Sequence, residues 1–472
     1  MTNRRRFYAV ALCLGLVAVA CGGGKEKSTA SNVSPENGAQ ASAAPGTSPV
    51  AGVRSPTGAG SASVAKGAPT GRAVAAQSAG TAGQRAREQA QRANPAYKGD
   101  VGISDKTIKI GAIYPQSGSL AALFQQYPKI YRAAFNDINE REKGIFGRKL
   151  ELVTADESDA ASQAQAGSRQ LAGSTFGFVT ALQELTEVAV AEAAKVPTLT
   201  LLGSITPGAL HGKYKYAFQM GTPPGYLEVR NGPSRIHQAF PKLVDKTVLV
   251  TTPDVYPDAI KAFTAAAKRH NVNVVHVEKL QLNQAQCLNS VSNVQAKNPK
   301  IVYVHSSSIE AGCFFRDART AGFRPQWAGR LAQLTNTASG NATNGQVGVT
   351  YIQTLNSPEG KRLLATYRKY YPNEQFTDIE PNLLAWAAAQ MWIQWLKALG
   401  PQPLRSTFAK TVEANGPYPS GFLGPQKYSA GNHVGSEHTI SGLVRDGNVV
   451  ITDAKWKTSY DGISDPPFFP FK

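Results

Sequence analysis

The cysteines are the side chains with the widest chemistry in this chain, because a thiol can bind metal, attack a substrate, carry a lipid or form a disulfide. There are four of them: Cys13, Cys21, Cys287 and Cys313. Only Cys287 and Cys313 fall in the part predicted to fold. A disulfide between them would close a loop of about 25 residues and add roughly 3 kcal/mol to stability. Two buried thiols are the alternative interpretation.

The remaining reactive side chains form no catalytic constellation. The sequence has no Gly-x-Ser-x-Gly elbow, phosphate loop, dinucleotide fingerprint or Cys/His metal spacing. His433 and His438 are expected on a surface hairpin, and the acids Asp156-Glu157 at a strand end are typical of a turn or cap. We therefore expect a protein that is not an enzyme, without catalytic residues, metal or cofactor.

The amino terminus has the pattern of an export signal. Arg4-Arg5-Arg6 precede the apolar stretch Phe7 to Val19, which is too short for a comfortable membrane span, and small residues lead to Cys21. The segment resembles a bacterial lipoprotein signal, although Ala18 stands where that family usually has Leu. The resemblance implies cleavage after residue 20 and a lipid on Cys21, which would anchor the protein to the outer face of the cell membrane. An ordinary cleaved signal remains the alternative, and a weak twin-arginine match leaves the export route open.

The segment 21–104 is predicted to be a disordered tether. From Gly22 to about Lys98 it is rich in small and polar residues and has almost no large apolar residue to bury. Such a chain spans on the order of 50 Å. The formal charge of +18 is spread through leader, tether and domain without interleaved aromatic residues. This dispersed positive charge is more typical of a solvated surface that faces an anionic cell envelope than of a nucleic-acid-binding groove.

The rest of the chain alternates strands and helices in two series. The first begins with strand Ile108 to Tyr114 and helix Leu120 to Glu142, and the second with strand Thr247 to Thr251 and helix Asp258 to His270. This alternation predicts an α/β fold of two doubly wound parallel-sheet lobes joined by a hinge. The first lobe would comprise 105–226 and 355–422, and the second 227–354 and 423–472.

Two later segments have predicted places in these lobes. The helix Pro381 to Leu399 carries Trp386, Trp392 and Trp395, which we expect in the core of the first lobe. The stretch Lys427 to Asp453 alternates around Asp446-Gly447, a hairpin signal, and is expected in the second lobe.

Several short sequence motifs, in their order along the chain, resemble those of the branched-chain amino-acid-binding type of solute-binding protein of ABC importers. Ile108-Lys109-Ile110-Gly111 leads to the turn Pro115 to Ser119, followed by the turn Lys143 to Leu152, then Ala194-Lys195-Val196-Pro197, and later Ala318 to Trp327. The resemblance covers about Lys106 to Val450. It implies the periplasmic-binding-protein type I (Venus-flytrap) fold, in which ligand binds between the lobes and the closed form docks on a membrane permease.

The resemblance also implies which residues bind the ligand, since this family uses the loops after its strands. In the first lobe these loops would hold a carboxylate, and a Gly-containing turn before a helix favours an anion. The same turn is equally an ordinary N-cap. Tyr256 could cover the ligand or cap the core edge. The predicted ligand-binding residues are Ser117, Gly118, Ser119, Thr180, Gln183, Ser204, Thr206, Tyr256, Ser306, Ser307, Arg330 and Gln333.

One loop departs from the family pattern. Amino-acid binders keep an acidic residue in the last loop of the second lobe to pair with the ligand ammonium, but here the loop reads Gly329-Arg330-Leu331-Ala332-Gln333. If Arg330 faces the cleft, it would suit a second anionic group on the ligand. If it faces solvent, only Asp254 or Glu184 could form an ion pair with a ligand ammonium.

The sequence and these resemblances together imply a monomeric, extracytoplasmic solute-binding lipoprotein that takes a small carboxylate-bearing solute, such as an amino acid, organic acid or amide, and delivers it to an ABC permease. The alternative is a tethered sensor or envelope interaction module that uses the same fold without transport. Neighbouring genes for a permease and an ATPase would favour import.

Overall fold

The computed structural model describes residues 83–90, 97–118, 120–158, 160–181, 184–201, 214–220, 224–253, 256, 259–281, 284–306, 308–331 and 340–463. The predicted leader, Cys21 and most of the predicted tether lie outside this part of the chain. Within it, no helix combines the length and the apolar character that a membrane crossing requires.

The first half is built on a parallel five-stranded sheet with the order β2-β1-β3-β4-β5. Helices α1 to α3 follow the strands in alternation, as predicted. Their bounds are β1 Thr107–Tyr114, α1 Tyr127–Arg141, β2 Lys149–Asp156, α2 Ala161–Ser174, β3 Gly177–Thr180, α3 Glu184–Ala193, β4 Thr198–Thr200 and β5 Ala217–Gln219.

The predicted helix Leu120 to Glu142 is wrong at its start. The chain instead forms a 3-10 turn, Ala121–Phe124, and the α-helix begins at Tyr127. Pro128 occupies the first turn of this helix. Proline has no N–H to donate and is tolerated only in the first turn, so the helix must begin just before it.

The second half is built on a seven-stranded sheet with the order β12-β11-β10-β9-β8-β6-β7. The strands β6 to β10 are parallel, and β11 and β12 are antiparallel. The bounds are α4 Pro224–Ala239, β6 Thr247–Thr251, α5 Ala259–Arg269, β7 Val274–Lys279, α6 Leu288–Gln295, β8 Ile301–His305, α7 Ser308–Thr320, β9 Gln326–Arg330, β10 Val347–Thr350, β11 Thr439–Arg445 and β12 Asn448–Lys457.

The hairpin between β11 and β12 is the one that the sequence predicts. Asp446 and Gly447 have φ angles of 51° and 71°. Two central residues with positive φ match the twist of the flanking strands, and Asp-Gly is a preferred pair for that turn.

Three helices return to the first sheet: α8 Pro358–Tyr370, α9 Glu380–Leu399 and α10 Arg405–Asn415. The indoles of Trp386, Trp392 and Trp395 are fully buried in the hydrophobic cluster that also contains β1, β3 and β5. Trp392 and Trp395 pack edge to face, with ring centroids 5.3 Å apart. The predicted core role of the three tryptophans is therefore confirmed.

The chain leaves the first sheet later than the predicted boundary at 422/423. Leu423 and Tyr428 lie in the hydrophobic cluster of the first sheet, and Val434 forms a parallel bridge with Gln219 of β5. The expected surface position of His433 is also wrong. Its ring is 3% exposed and stacks on Phe218 with centroids 4.0 Å apart. Apolar burial and pairing with β5 hold this segment on the first sheet.

The end of the predicted tether is ordered where the structure describes it. Residues 83–90 form a helix, and Gln402 Nε2 donates a hydrogen bond to the carbonyl of Ala90 at 2.5 Å. Tyr97 donates to the carbonyl of Pro403 at 3.0 Å, and Asp100 accepts the N–H of Arg405 at 2.7 Å, where α10 begins. A carboxylate satisfies an otherwise unpaired donor at a helix start, so the folded part begins before residue 105.

Cys287 and Cys313 are joined by a disulfide, with their Cα atoms 5.8 Å apart. The bridge links the residue before α6 to the middle of α7. Asp317 accepts the N–H of Cys287 at 2.6 Å. These three side chains also form a group with metal-ligand spacing, but a disulfide does not offer the thiolates that a metal would need.

Candidate functional site

The carboxyl edge of the second sheet carries a row of polar side chains on three neighbouring strands. Thr251 ends β6 and pairs in register with His305, which ends β8. On the other side of β8, Val304 pairs with Gly329 of β9. The residues that follow them, His305 and Arg330, therefore lie side by side. Thr251 and His305 are fully buried, and the Arg330 side chain is 11% exposed. Ligands of open α/β sheets bind beyond this edge.

A matching row ends the strands of the first sheet. Thr180 of β3 pairs with Thr200 of β4, which pairs with Gln219 of β5. All three side chains are fully buried. Their hydroxyl and amide groups have no hydrogen-bond partner among the described residues. Unsatisfied buried polar groups are rare in folded proteins, and three in one row mark this edge as more than core packing.

The loop after β1 is organised by a carboxylate from the neighbouring strand. Asp156 at the end of β2 accepts the Ser117 hydroxyl at 2.5 Å and the Gln116 N–H at 2.8 Å. Burial opposes the charge on Asp156, but these hydrogen bonds and one from the Ser158 N–H hold its pKa below the ordinary value. Gly118 has a φ of 87°, a conformation that suits glycine. The Ser117 hydroxyl proton is therefore already donated to Asp156.

Arg330 lies in an ion network between two carboxylates. Its Nε is 2.8 Å from Oε2 of Glu228 on α4, and its Nη2 is 2.9 Å from Oε2 of Glu380, the first residue of α9. The hydroxyl of Tyr351 donates to Glu380. Burial opposes the charge of Arg330, but Glu228 and its other neighbours outweigh it and raise its pKa well above the ordinary value. Arg330 thus stays charged, and carboxyl groups of the protein itself occupy its guanidinium.

Glu228 is the most deeply buried acid of this network, with a side chain 1% exposed. Burial, together with the nearby Glu380 carboxylate, raises its pKa to about 8 in spite of Arg330. A cavity beside the network is lined from both halves of the molecule, by Glu228, Arg330, Tyr351, Asp378, Glu380 and Leu383 among others.

Tyr256 and Ser306 lie against the polar row of the second sheet. The Tyr256 hydroxyl accepts a hydrogen bond from Arg330 Nη1 at 3.2 Å, and its ring packs on His305 with centroids 4.6 Å apart. Ser306 is 3% exposed, and its hydroxyl is hydrogen bonded to that of Thr252. The structure therefore brings Tyr256, Ser306 and Arg330 together at one edge, and Ser117, Gly118 and Thr180 at the edge of the other sheet.

Several predicted residues lie outside the described part of the chain, namely Ser119, Gln183, Ser204, Thr206, Ser307, Gln333 and the lipidation site Cys21. The structure adds residues that the sequence did not single out. Thr200, Gln219, Thr251 and His305 each close a strand, and a polar residue at the end of an apolar run was the available signal. Glu228 and Glu380 gave no such signal, because only the folded chain brings them to Arg330.

Comparison with known proteins assigns the fold to a family. The family model described as periplasmic binding protein matches residues 107–447. A search of curated protein sequences gave no match.

Solved structures similar to this chain include three solute-binding proteins. The fatty acid ABC transporter substrate-binding protein from Thermomonospora curvata has 17% identity and a TM-score of 0.64, covering 78% of this chain and 96% of its own. LivJ from Streptococcus pneumoniae in complex with isoleucine has 19% identity and a TM-score of 0.61, covering 75% and 100%. A solute-binding protein from R. palustris in complex with benzoate has 18% identity and a TM-score of 0.58, covering 74% and 96%.

These likenesses agree with the two parallel-dominated α/β sheets and the family match over most of the folded chain. The chain belongs to the periplasmic binding protein family and has its two-lobed type I fold.

Proposed function

We propose that this protein is the extracytoplasmic solute-binding component of an ABC importer and that its solute binds between the carboxyl edges of the two sheets. The observation that carries the proposal is the pair of buried polar rows, one ending each sheet, in a chain of this family. Strand ends are where open α/β sheets bind ligands. The family consists of solute-binding proteins, which supports a binding role rather than catalysis.

The solute is a small molecule with one carboxylate and an apolar body. Isoleucine, benzoate and fatty acids, the ligands in the titles of the three similar structures, share those two features. Ser117, Gly118, Ser119, Thr180, Gln183, Ser204 and Thr206 of the first half, and Tyr256, Ser306, Ser307 and Gln333 of the second, are the proposed contacts.

The surroundings of Arg330 argue against a second anionic group on the solute. Glu380 pairs with its charge and the buried Glu228 carboxyl occupies another side of the guanidinium, so Arg330 offers no unpaired cation to a ligand. Arg330 therefore acts on the site through Tyr256, to whose hydroxyl it donates. The side chains of Asp254 and Glu184, which the sequence suggested for an ammonium, lie outside the described part of the chain.

The attachment and partners of the protein belong to the same proposal. The leader ends at Cys21, whose lipid would hold a monomer at the outer face of the cell membrane, with part of 21–104 as tether and a membrane permease as partner. The described residues from 83 onward belong to the folded part, so the tether is shorter than the sequence predicts.

A thermal-shift screen tests the proposal. The purified protein is heated with amino acids, amides, monocarboxylates, dicarboxylates and aromatic acids, because a ligand that binds only the folded state raises the melting temperature by mass action. We expect a shift with monocarboxylates that have an apolar body, and a smaller one with dicarboxylates. If no class shifts the transition, the solute-binding role fails and a protein-interaction role is favoured.

A further inference from the structure

His305 is a buried histidine whose ring nitrogens have no hydrogen-bond partner in the part of the chain that the structure describes. It ends β8, its side chain is 0% exposed, and neither ring nitrogen has a hydrogen-bond partner among the described residues. Both nitrogens of an imidazole form hydrogen bonds in water, so burial without partners costs free energy. Such a group in a native protein requires an explanation, and a role in binding a ligand is one.

The position of His305 relates it to the candidate site rather than to the core. The ring packs on Tyr256, a proposed ligand contact, at a centroid distance of 4.6 Å and an interplanar angle of 54°. Thr251, its neighbour in register, also has a buried hydroxyl without a partner in the described part of the chain. Ser306, another proposed contact, follows directly. Two buried side chains without partners among the described residues are thus adjacent at the edge where open α/β sheets bind ligands.

The environment keeps the imidazole neutral. Burial lowers the pKa of His305 well below 6.5, and the charge of Arg330 on the next strand lowers it further. A neutral imidazole has one N–H donor and one acceptor nitrogen. It is therefore matched to a group that can also donate and accept, such as a hydroxyl or a carboxamide.

We propose that His305 is a solute-binding residue that recognises an uncharged hydroxyl or carboxamide on the body of the solute, away from its carboxylate. This inference rests on the proposed solute-binding function and specifies its substrate class. Thr251 lies beside His305, so its hydroxyl can hydrogen bond to the same group of the solute. The Tyr256 ring shields the imidazole of His305 from solvent.

The test compares solutes that differ only in that polar group. Calorimetric titrations of the purified protein use 4-hydroxybenzoate against benzoate and glutamine against norvaline, for the wild type and for His305→Phe. We expect the polar member of at least one pair to bind the wild type about ten-fold tighter or more, as for a site built to pair such a group. His305→Phe should remove that difference and leave the affinity for the apolar member within about three-fold.

The melting temperature of the solute-free protein separates binding from a structural role. His305→Phe removes an unsatisfied polar group and should leave the melting temperature unchanged or raise it. His433→Phe is the matched control, because His433 is also buried but its Nδ1 and Nε2 are bonded to the Ala217 carbonyl and to Glu413, so this variant should melt lower.

Three outcomes would overturn the inference. They are equal wild-type affinity within both pairs, a preference for the polar member that survives in His305→Phe, and a fall in melting temperature for His305→Phe like that for His433→Phe. If the wild type binds neither member of any pair, nor any solute of the wider screen, the proposed function itself has failed.

Discussion

Arg330, the last residue of β9, lies 2.9 Å from Glu380, the first residue of α9, and this ion pair joins the two halves of the molecule. Arg330 belongs to the second sheet, whereas α9 is buried in the hydrophobic cluster of the first. Glu228 pairs with Arg330 from within the second half, so only the Glu380 contact depends on how the halves meet. Because Arg330 also donates a hydrogen bond to Tyr256, a change in how the two halves are arranged would reach Tyr256 through Arg330.

Replacing Arg330 should destabilise the protein through the carboxylates left behind. Arg330→Met leaves the Glu380 carboxylate without its cation and takes the guanidinium away from the buried Glu228 carboxyl, which is mostly protonated at pH 7 because its pKa is about 8. We expect a loss of about 3 kcal/mol in the free energy of unfolding, measured by urea denaturation at pH 7. Adding Glu228→Gln and Glu380→Gln should restore at least half of that loss. An Arg330→Met variant as stable as the wild type would contradict the network described here.

The ionisation of Glu228 predicts how stability depends on pH. Its pKa is raised to about 8 in the folded state from an ordinary value of 4.5. Between these values the folded state binds a proton that the unfolded state has released, so the contribution of Glu228 is complete below pH 4.5 and is lost as pH rises towards 8.

Urea denaturation of the wild type and Glu228→Gln at several pH values checks this prediction. The stability of the wild type relative to the variant should fall with rising pH by up to about 1.4 kcal/mol per pH unit, and it should level off above the folded pKa. A difference that is constant across the range, or that grows with pH, would show that Glu228 has no raised pKa.

The disulfide should make a measurable contribution to stability. Cys287 and Cys313 are 26 residues apart and are both buried. Closing a loop of this length removes entropy from the unfolded chain, so the double variant Cys287→Ala/Cys313→Ala should lose about 3 kcal/mol in urea denaturation. Reducing agent should then lower wild-type stability and leave the variant unchanged. Equal stability of the two proteins would count against the bridge.

Packing against α9 predicts the effect of a single methyl group. A Cβ on Gly177 of β3 would lie 2.3 Å from the Trp392 ring and 2.5 Å from the Pro197 carbonyl. Gly177→Ala should therefore cost about 1 to 3 kcal/mol in the free energy of unfolding.

Gly173, near the end of α2, is the matched control because nothing lies within 4 Å of a Cβ there. Gly173→Ala should be neutral or stabilise by up to about 1 kcal/mol, since alanine is the better helix former. Similar losses for the two variants would mean that β3 does not pack on Trp392 as described.

The local sequence determines most of the fold. The strand Thr247–Thr251 has the predicted bounds, because it is a short apolar run that is buried throughout. By contrast, the predicted lobe boundary at 422/423 does not match the contacts of the folded chain. Only the pairing of Val434 with Gln219 and the burial of Tyr428 show that the chain stays on the first sheet, and such contacts between distant segments leave no local pattern.

The candidate site was less predictable than the fold. The loops were found because strand ends can be read from the sequence, and Arg330 was found because it departs from a family pattern. Its partners Glu228 and Glu380 lie on helices far from it in sequence, so neither the solvent-facing nor the ligand-facing interpretation anticipated an Arg330 that is occupied by the protein's own carboxyl groups. Likewise, the sequence does not distinguish His305 from an ordinary strand residue. Only the structure shows that its ring nitrogens lack hydrogen-bond partners among the described residues.

The measurement that tests the solute-binding account most directly is calorimetric titration of the purified protein with each solute that raises its melting temperature. We expect one binding site per chain, and weaker binding in Thr180→Val, which removes a buried hydroxyl from the first polar row with little change in shape. If no solute class gives saturable heat, a solute site between the two carboxyl edges is contradicted. Full affinity in both single variants, Thr180→Val and Tyr256→Ala, would contradict it as well.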